Sequence, residues 1–92
     1  MLSWAVPKDP DEVLDYQFDW GQFRLEEGET IVTSTFIIIG SVEIDNETID
    51  GGFTTFWASG GTAGEACKIT NRVVTSEGRT YDQTCTLRVR AR

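Results

Sequence analysis

The sequence predicts an all-β chain folded as an immunoglobulin-like antiparallel sandwich of about seven short strands, with a small β-barrel as the runner-up. Three observations carry this. Apolar residues recur with a two-residue period rather than a helical one. Glycine, asparagine, aspartate and serine clusters punctuate the chain every 8–12 residues. Ninety-two residues is close to the usual size of such a sandwich.

Residues 1–12 contain both prolines, Pro7 and Pro10. Proline cannot donate to a ladder, so this stretch reads as an extended N-terminal arm ahead of one domain spanning 13–92. Leu14, Tyr16, Phe18 and Trp20 then alternate with Asp15, Gln17 and Asp19, which places four large apolar side chains on one face of a strand and the carboxylates on the other. Gly21 and Glu26-Glu27-Gly28 mark a loop. Thr30 to Ile38 is β-branched almost throughout and predicts the next strand. Ile31 and Phe36 have opposite parity there, which leaves the inward face open; a bulge between them would reconcile the two.

Gly40 breaks the run. Val42–Ile44 is expected as a short strand, Asp45-Asn46 as a turn, and Glu47–Ile49 as a separate edge piece. Asp50-Gly51-Gly52 turns the chain into an aromatic and threonine-rich strand, Phe53–Ala58, and 59–64 is a loop of small residues. Ala66–Thr75 and Thr80–Arg90 flank Ser76-Glu77-Gly78-Arg79 as a hairpin. Cys67, Ile69, Asn71 and Val73 on one arm, and Tyr81, Gln83, Cys85, Leu87 and Val89 on the other, are assigned inward. This register sets Cys67 roughly opposite Cys85. Two readings stay open: a cross-strand disulfide, which is geometrically poor between directly opposed residues, and two small buried hydrophobes.

Charge divides the chain. Residues 1–50 hold twelve acidic residues against Lys8 and Arg24, whereas 51–92 hold three against six basic ones, for a net −7. Such a chain is repelled by phosphate backbones and anionic lipid, so neither nucleic acid nor a membrane is expected as partner. Arg88, Arg90 and Arg92 leave an opening for an acidic one. No apolar run approaches the roughly 20 residues of a membrane span, and no secretory pattern opens the chain. A soluble protein made in the cytoplasm is expected.

The sequence holds no histidine, which removes histidine-based nucleophile pairs and most metal sites. Asp9, Asp11, Glu12 and Asp15 lack the spacing of a calcium loop and read as a solvated edge. Gly60-Gly61-Thr62-Ala63-Gly64 lacks the lysine and helix of a phosphate loop. Asn46-Glu47-Thr48 matches a glycosylation acceptor with no secretion signal to support it. No enzyme, metal, cofactor or small-molecule substrate is expected. Trp4, Trp20, Phe53, Phe56 and Trp57 exceed what so small a domain must bury. Adjacent Phe56 and Trp57 point to opposite faces of one strand, so one of them is outside or at a bulge. Exposed aromatics favour a protein interface; the other reading is that loops or the arm cover them. The interface candidates are Trp4, Pro7, Phe56, Trp57, Arg88 and Arg90.

The run Phe56-Trp57-Ala58-Ser59-Gly60-Gly61-Thr62-Ala63-Gly64, then Ile69-Thr70-Asn71-Arg72-Val73-Val74-Thr75, Gly78-Arg79-Thr80-Tyr81 and Thr86-Leu87-Arg88-Val89-Arg90, resembles the small fiber-tail adaptor proteins of tailed bacteriophages. Lys8-Asp9-Pro10-Asp11-Glu12-Val13-Leu14-Asp15-Tyr16 and Asp19-Trp20 resemble the start of the same family. The resemblance implies an Ig-like virion structural protein of the tail or neck. It would be present in many copies of a symmetric assembly and join fibers or neighbouring tail proteins without catalysis. Where that family carries aromatics, Cys67 and Cys85 stand here, which tells against a working disulfide. A cellular or prophage-derived Ig-like binding module is the alternative.

Overall fold

In the computed structural model, residues 2–4, 6–21 and 25–91 are described. The strands are β1 (Leu2–Ser3), β2 (Leu14–Asp19), β3 (Ile31–Ile39), β4 (Val42–Asp50), β5 (Phe53–Gly60), β6 (Ala66–Thr75) and β7 (Thr80–Arg88). They form two sheets, ordered β1-β7-β6-β3 and β2-β5-β4. Every pairing is antiparallel except the two-residue β1, which runs parallel to β7. No helix occurs among the described residues. The all-β, sandwich-like architecture expected from the two-residue period is therefore the one observed, with six substantial strands and one short one.

Alternation sets the inner faces as expected. Phe18 and Trp20 of the β2 run, Cys67, Ile69, Asn71 and Val73 of β6, and Cys85, Leu87 and Val89 of the β7 run are buried. A bulge does reconcile Ile31 with Phe36, since the β3–β6 register shifts between Ile31 and Thr33. The inner faces meet over an aromatic cluster. Phe56 lies 5.0 Å from Phe36 and 5.6 Å from Tyr16, centroid to centroid. Trp4 closes over it, 4.9 Å from Tyr16 and 5.5 Å from Phe18. The N-terminal segment is thus laid along the sheet: Leu2 pairs with Cys85, and Lys8 bridges Val89.

A buried polar network ties the two sheets together. The indole N–H of Trp20 donates to Asn71 Oδ1 (3.0 Å) and Thr54 Oγ1 (3.2 Å). The Thr54 hydroxyl donates to the same Asn71 oxygen (2.5 Å). Asn71 Nδ2 donates to Ser34 Oγ (2.8 Å) and to the Thr35 carbonyl (3.1 Å). Buried polar groups require such partners, and here β3, β5, β6 and the end of β2 all contribute one.

Three details differ from the sequence expectation. Val42–Ile44 and Glu47–Ile49 are one strand, because Asp45-Asn46 makes a bulge rather than a turn: the register against β5 shifts between Asp45 and Thr48, and Asn46 takes φ 52°, a left-handed conformation that asparagine tolerates. β7 ends at Arg88 rather than Arg90. The cysteines are not opposite. Cys67 faces Leu87 and Cys85 faces Ile69, because the Thr75 N–H bonds the Arg79 carbonyl and sets the hairpin centre one residue later. Both thiols are free and buried. The β3–β4 link is tight enough to demand Gly40: its φ is 138°, and a Cβ there would stand 2.5 Å from Cys67 Sγ.

Candidate interaction surface

Cross-strand partners share a face, so the β2–β5–β4 register spells out the outer surface of the smaller sheet. Trp57 of β5 sits between Asp15 of β2 and Asp45 of β4. Two residues along, Thr55 lies between Gln17 and Thr48. Two further, Phe53 lies between Asp19 and Asp50. Glu43 completes the face opposite Ser59. These strands carry no basic residue. Trp57 and Phe53 are 38% and 39% exposed, which for large aromatics is a substantial apolar area open to solvent.

Each row therefore places a ring between two carboxylates. A ring face attracts a cation through its quadrupole, and carboxylates on both sides add charge-assisted hydrogen bonds to a guanidinium or ammonium. The rows are four residues apart, roughly 13 Å at strand rise. That is the spacing of two side chains at i and i+4 on one face of another strand. Chemically, such rows can hold two cationic groups at that spacing.

The sequence candidates divide between places. Trp57 lies at the centre of this face. Phe56 points the other way and is fully buried; alternation along β5 makes it core, and its ring is closed off from any partner. Trp4 is half-buried on the aromatic cluster, covering it as the second reading of the aromatics supposed. Pro7, Arg88 and Arg90 come together with Gly64, Glu65, Ala66 and Val89 around an open cleft of about 220 Å³ on the other sheet. Arg92 lies outside the described residues. Glu65 sits in that cleft, with its carboxylate held below the usual range, first by the Ser41 hydroxyl and then by the Cys67 thiol.

Phe53, Asp19, Asp45 and Asp50 were not singled out by sequence reasoning as a site. Their strand parity was readable, but their assembly depends on the β2–β5–β4 register, which is non-local. The alternation in Leu14–Trp20, which already sent Asp15 outward, was the available signal.

Among the described residues, no group of three or more His, Cys, Asp or Glu side chains is placed to hold a metal. Burial pushes the Cys85 thiol up to about 11, and burial and then the Glu65 carboxylate raise that of Cys67, so both stay protonated at neutral pH. The Asp9–Glu12 cluster folds on itself as a turn: the Asp9 N–H donates to Glu12 Oε1, the Glu12 N–H to the Asp9 carbonyl, and the Asp11 N–H to Asp9 Oδ1. Lys8 is fully buried, its ammonium donating to the carbonyls of Gly60 (2.6 Å) and Asp9 (2.9 Å), which is a structural anchor for the N-terminal segment.

Compared with known protein families, residues 8–88 match the family described as podophage GP4 fiber-tail adaptor protein gp77. No curated protein matches the chain.

Proposed function

Since the chain belongs to the podophage fiber-tail adaptor family, we propose that it is a virion structural protein of the tail or neck that holds a fiber or neighbouring tail protein through the Trp57 face. It acts by contact alone, in many copies of a symmetric assembly, and is made in the host cytoplasm before incorporation. The observation that carries this reading is the pair of rows Asp15–Trp57–Asp45 and Asp19–Phe53–Asp50. The partner it fits presents lysine or arginine on a β-surface. Neither nucleic acid nor lipid headgroups suit a face with five carboxylates and no base.

The test is binding of the purified chain to the tail and fiber proteins of the same virion, measured by calorimetry. Trp57→Ala is expected to weaken binding about thirtyfold, the size of one desolvated cation–π contact of about 2 kcal/mol. Asp15→Asn with Asp45→Asn weakens it further, and added salt weakens the native complex more steeply than this variant, which keeps Asp19, Asp50 and Glu43. Unchanged affinity in both variants, or absence of the chain from purified virions by mass spectrometry, refutes the reading.

A further inference from the structure

The two ends of the larger sheet are treated differently. At one, β1 pairs with β7 and Lys8 continues the cover by bridging Val89. At the other, β3 is terminal, and no strand among the described residues pairs with its outer edge. Natural sheets guard such an edge with charge, proline or brevity. The open edges of the smaller sheet follow that rule: β2 carries Asp15 and Asp19, and β4 carries Glu43, Asp45, Glu47 and Asp50 together with its bulge.

β3 breaks it. Its nine residues, IVTSTFIII, contain no charge and no proline. The single bulge sits near its start, between Ile31 and Thr33, leaving Ser34–Ile39 regular. Val32, Ile37 and Ile39 are 59%, 42% and 67% exposed on this strand. Residues of this type in an unpaired edge are a template for another strand.

We propose that β3 is a self-pairing edge, joining two copies of this chain through antiparallel β3–β3 contact into one continuous sheet. Charge selects the occupant. At net −7, two copies approaching by the β2 or β4 edges oppose carboxylates. β3 is the long edge on which like copies meet without doing so. A two-fold contact needs a self-complementary surface, and an uncharged β-branched strand supplies one. A register centred on Thr35 sets Thr33 of each copy against Ile37 of the other and keeps Ser34, Phe36 and Ile38 on the core side. A five-residue ladder, Thr33–Ile37, falls below the area of a stable free-standing dimer, so the contact is weak in dilute solution and effective where an assembly holds copies side by side. The inference rests on the multi-copy reading above and names the edge that reading leaves open.

The test is sedimentation equilibrium of the full chain from about 10 μM to about 1 mM, the range in which a contact of this size becomes populated. The mean mass is expected to rise from 10.3 kDa toward twice that value. Ile37→Lys, the charge that natural edges use, is expected to raise the dissociation constant at least about tenfold. Ile49→Lys, at equal exposure (42%) on the acidic β4, leaves it unchanged. Amide exchange slows along Thr33–Ile37 as the concentration rises. Association that Ile37→Lys does not weaken overturns the edge assignment while leaving multiple copies intact. A chain monomeric throughout overturns self-pairing while leaving capture of a partner by the Trp57 face untouched.

Discussion

Asn71→Ala tests what holds the two sheets in register. Asn71 is fully buried, and its side chain accepts from Trp20 and Thr54 and donates to Ser34 and Thr35. Truncation does not affect these partners equally. The bonds to Ser34 Oγ and the Thr35 carbonyl are only part-buried, so losing that donor costs less than losing a fully buried bond. Trp20 Nε1 retains Thr54 Oγ1 at 3.2 Å. The buried Thr54 hydroxyl loses its acceptor, at a cost of about 1–3 kcal/mol, and the vacated amide volume adds about 1 kcal/mol. The sum is about 3 kcal/mol against a total stability on the order of 5–15 kcal/mol. For a domain of this size that lowers Tm by roughly 12–24 °C. Circular dichroism melts measure it, with the Trp20 indole proton followed by NMR: its exchange is expected to accelerate. A Tm shift under about 4 °C with an unchanged indole resonance refutes the network as a determinant of the fold.

Gly40→Ala is expected to destabilise by more than about 1 kcal/mol, through both the positive φ and the 2.5 Å approach to Cys67 Sγ; urea titration reads it, and a neutral result means the β3–β4 link relaxes freely. The two thiols are buried and held protonated, so aromatic disulfide reagents are expected to label them only at the rate of unfolding; fast stoichiometric labelling of the native chain contradicts that burial. Glu29 is held below its ordinary 4.5, first by the Thr75 hydroxyl, next by the Glu26 backbone, with Arg79 adding to both. The folded state therefore binds this proton less readily than the unfolded one. The contribution is complete above pH 4.5 and lost as pH falls through the lower folded value. Glu29→Gln is expected to flatten, without abolishing, the acid limb of a stability–pH curve, because Glu65 and Asp82 are lowered as well; an unchanged limb removes Glu29 from the account.

Much of this molecule was legible in its sequence because two-residue alternation is a local signal. It set the inner faces of β2, β6 and β7 and offered a bulge as the way to reconcile Ile31 with Phe36 in β3. What stayed hidden depended on long-range register or on a choice between local conformations. Asp45-Asn46 has the composition of a turn, and only pairing of both flanks with β5 makes it a bulge. Cys67 and Cys85 missed each other because the four-residue turn moved the hairpin centre by one position, and each such step moves an opposed pair by two. Phe56 and Trp57 could be split between two faces from parity, but which faced outward required the second sheet. Lys8 counts in the sequence only as one of two bases in the acidic half, and its burial, with bonds to the carbonyls of Asp9 and distant Gly60, needs the folded chain.

The lopsided charge of the sequence has a structural meaning that neither half shows alone. The acidic first half supplies β2 and β4, which flank the aromatic β5, so its carboxylates gather on the outer face of one sheet. The second half supplies β6 and β7, whose outer positions carry Lys68 and Arg88 beside the Arg72–Asp82 ion pair. Under the proposed role, opposite signs on the two faces would orient the module in an assembly, because reversal would oppose like charges. β3, neutral and at the end of the larger sheet, lies outside this polarity, so the proposed lateral contact between copies there would leave the acidic face free. Reversing Asp15 and Asp45 to lysine should therefore abolish capture of a basic partner and leave β3 pairing unaltered. Loss of both together would mean that one surface serves both contacts.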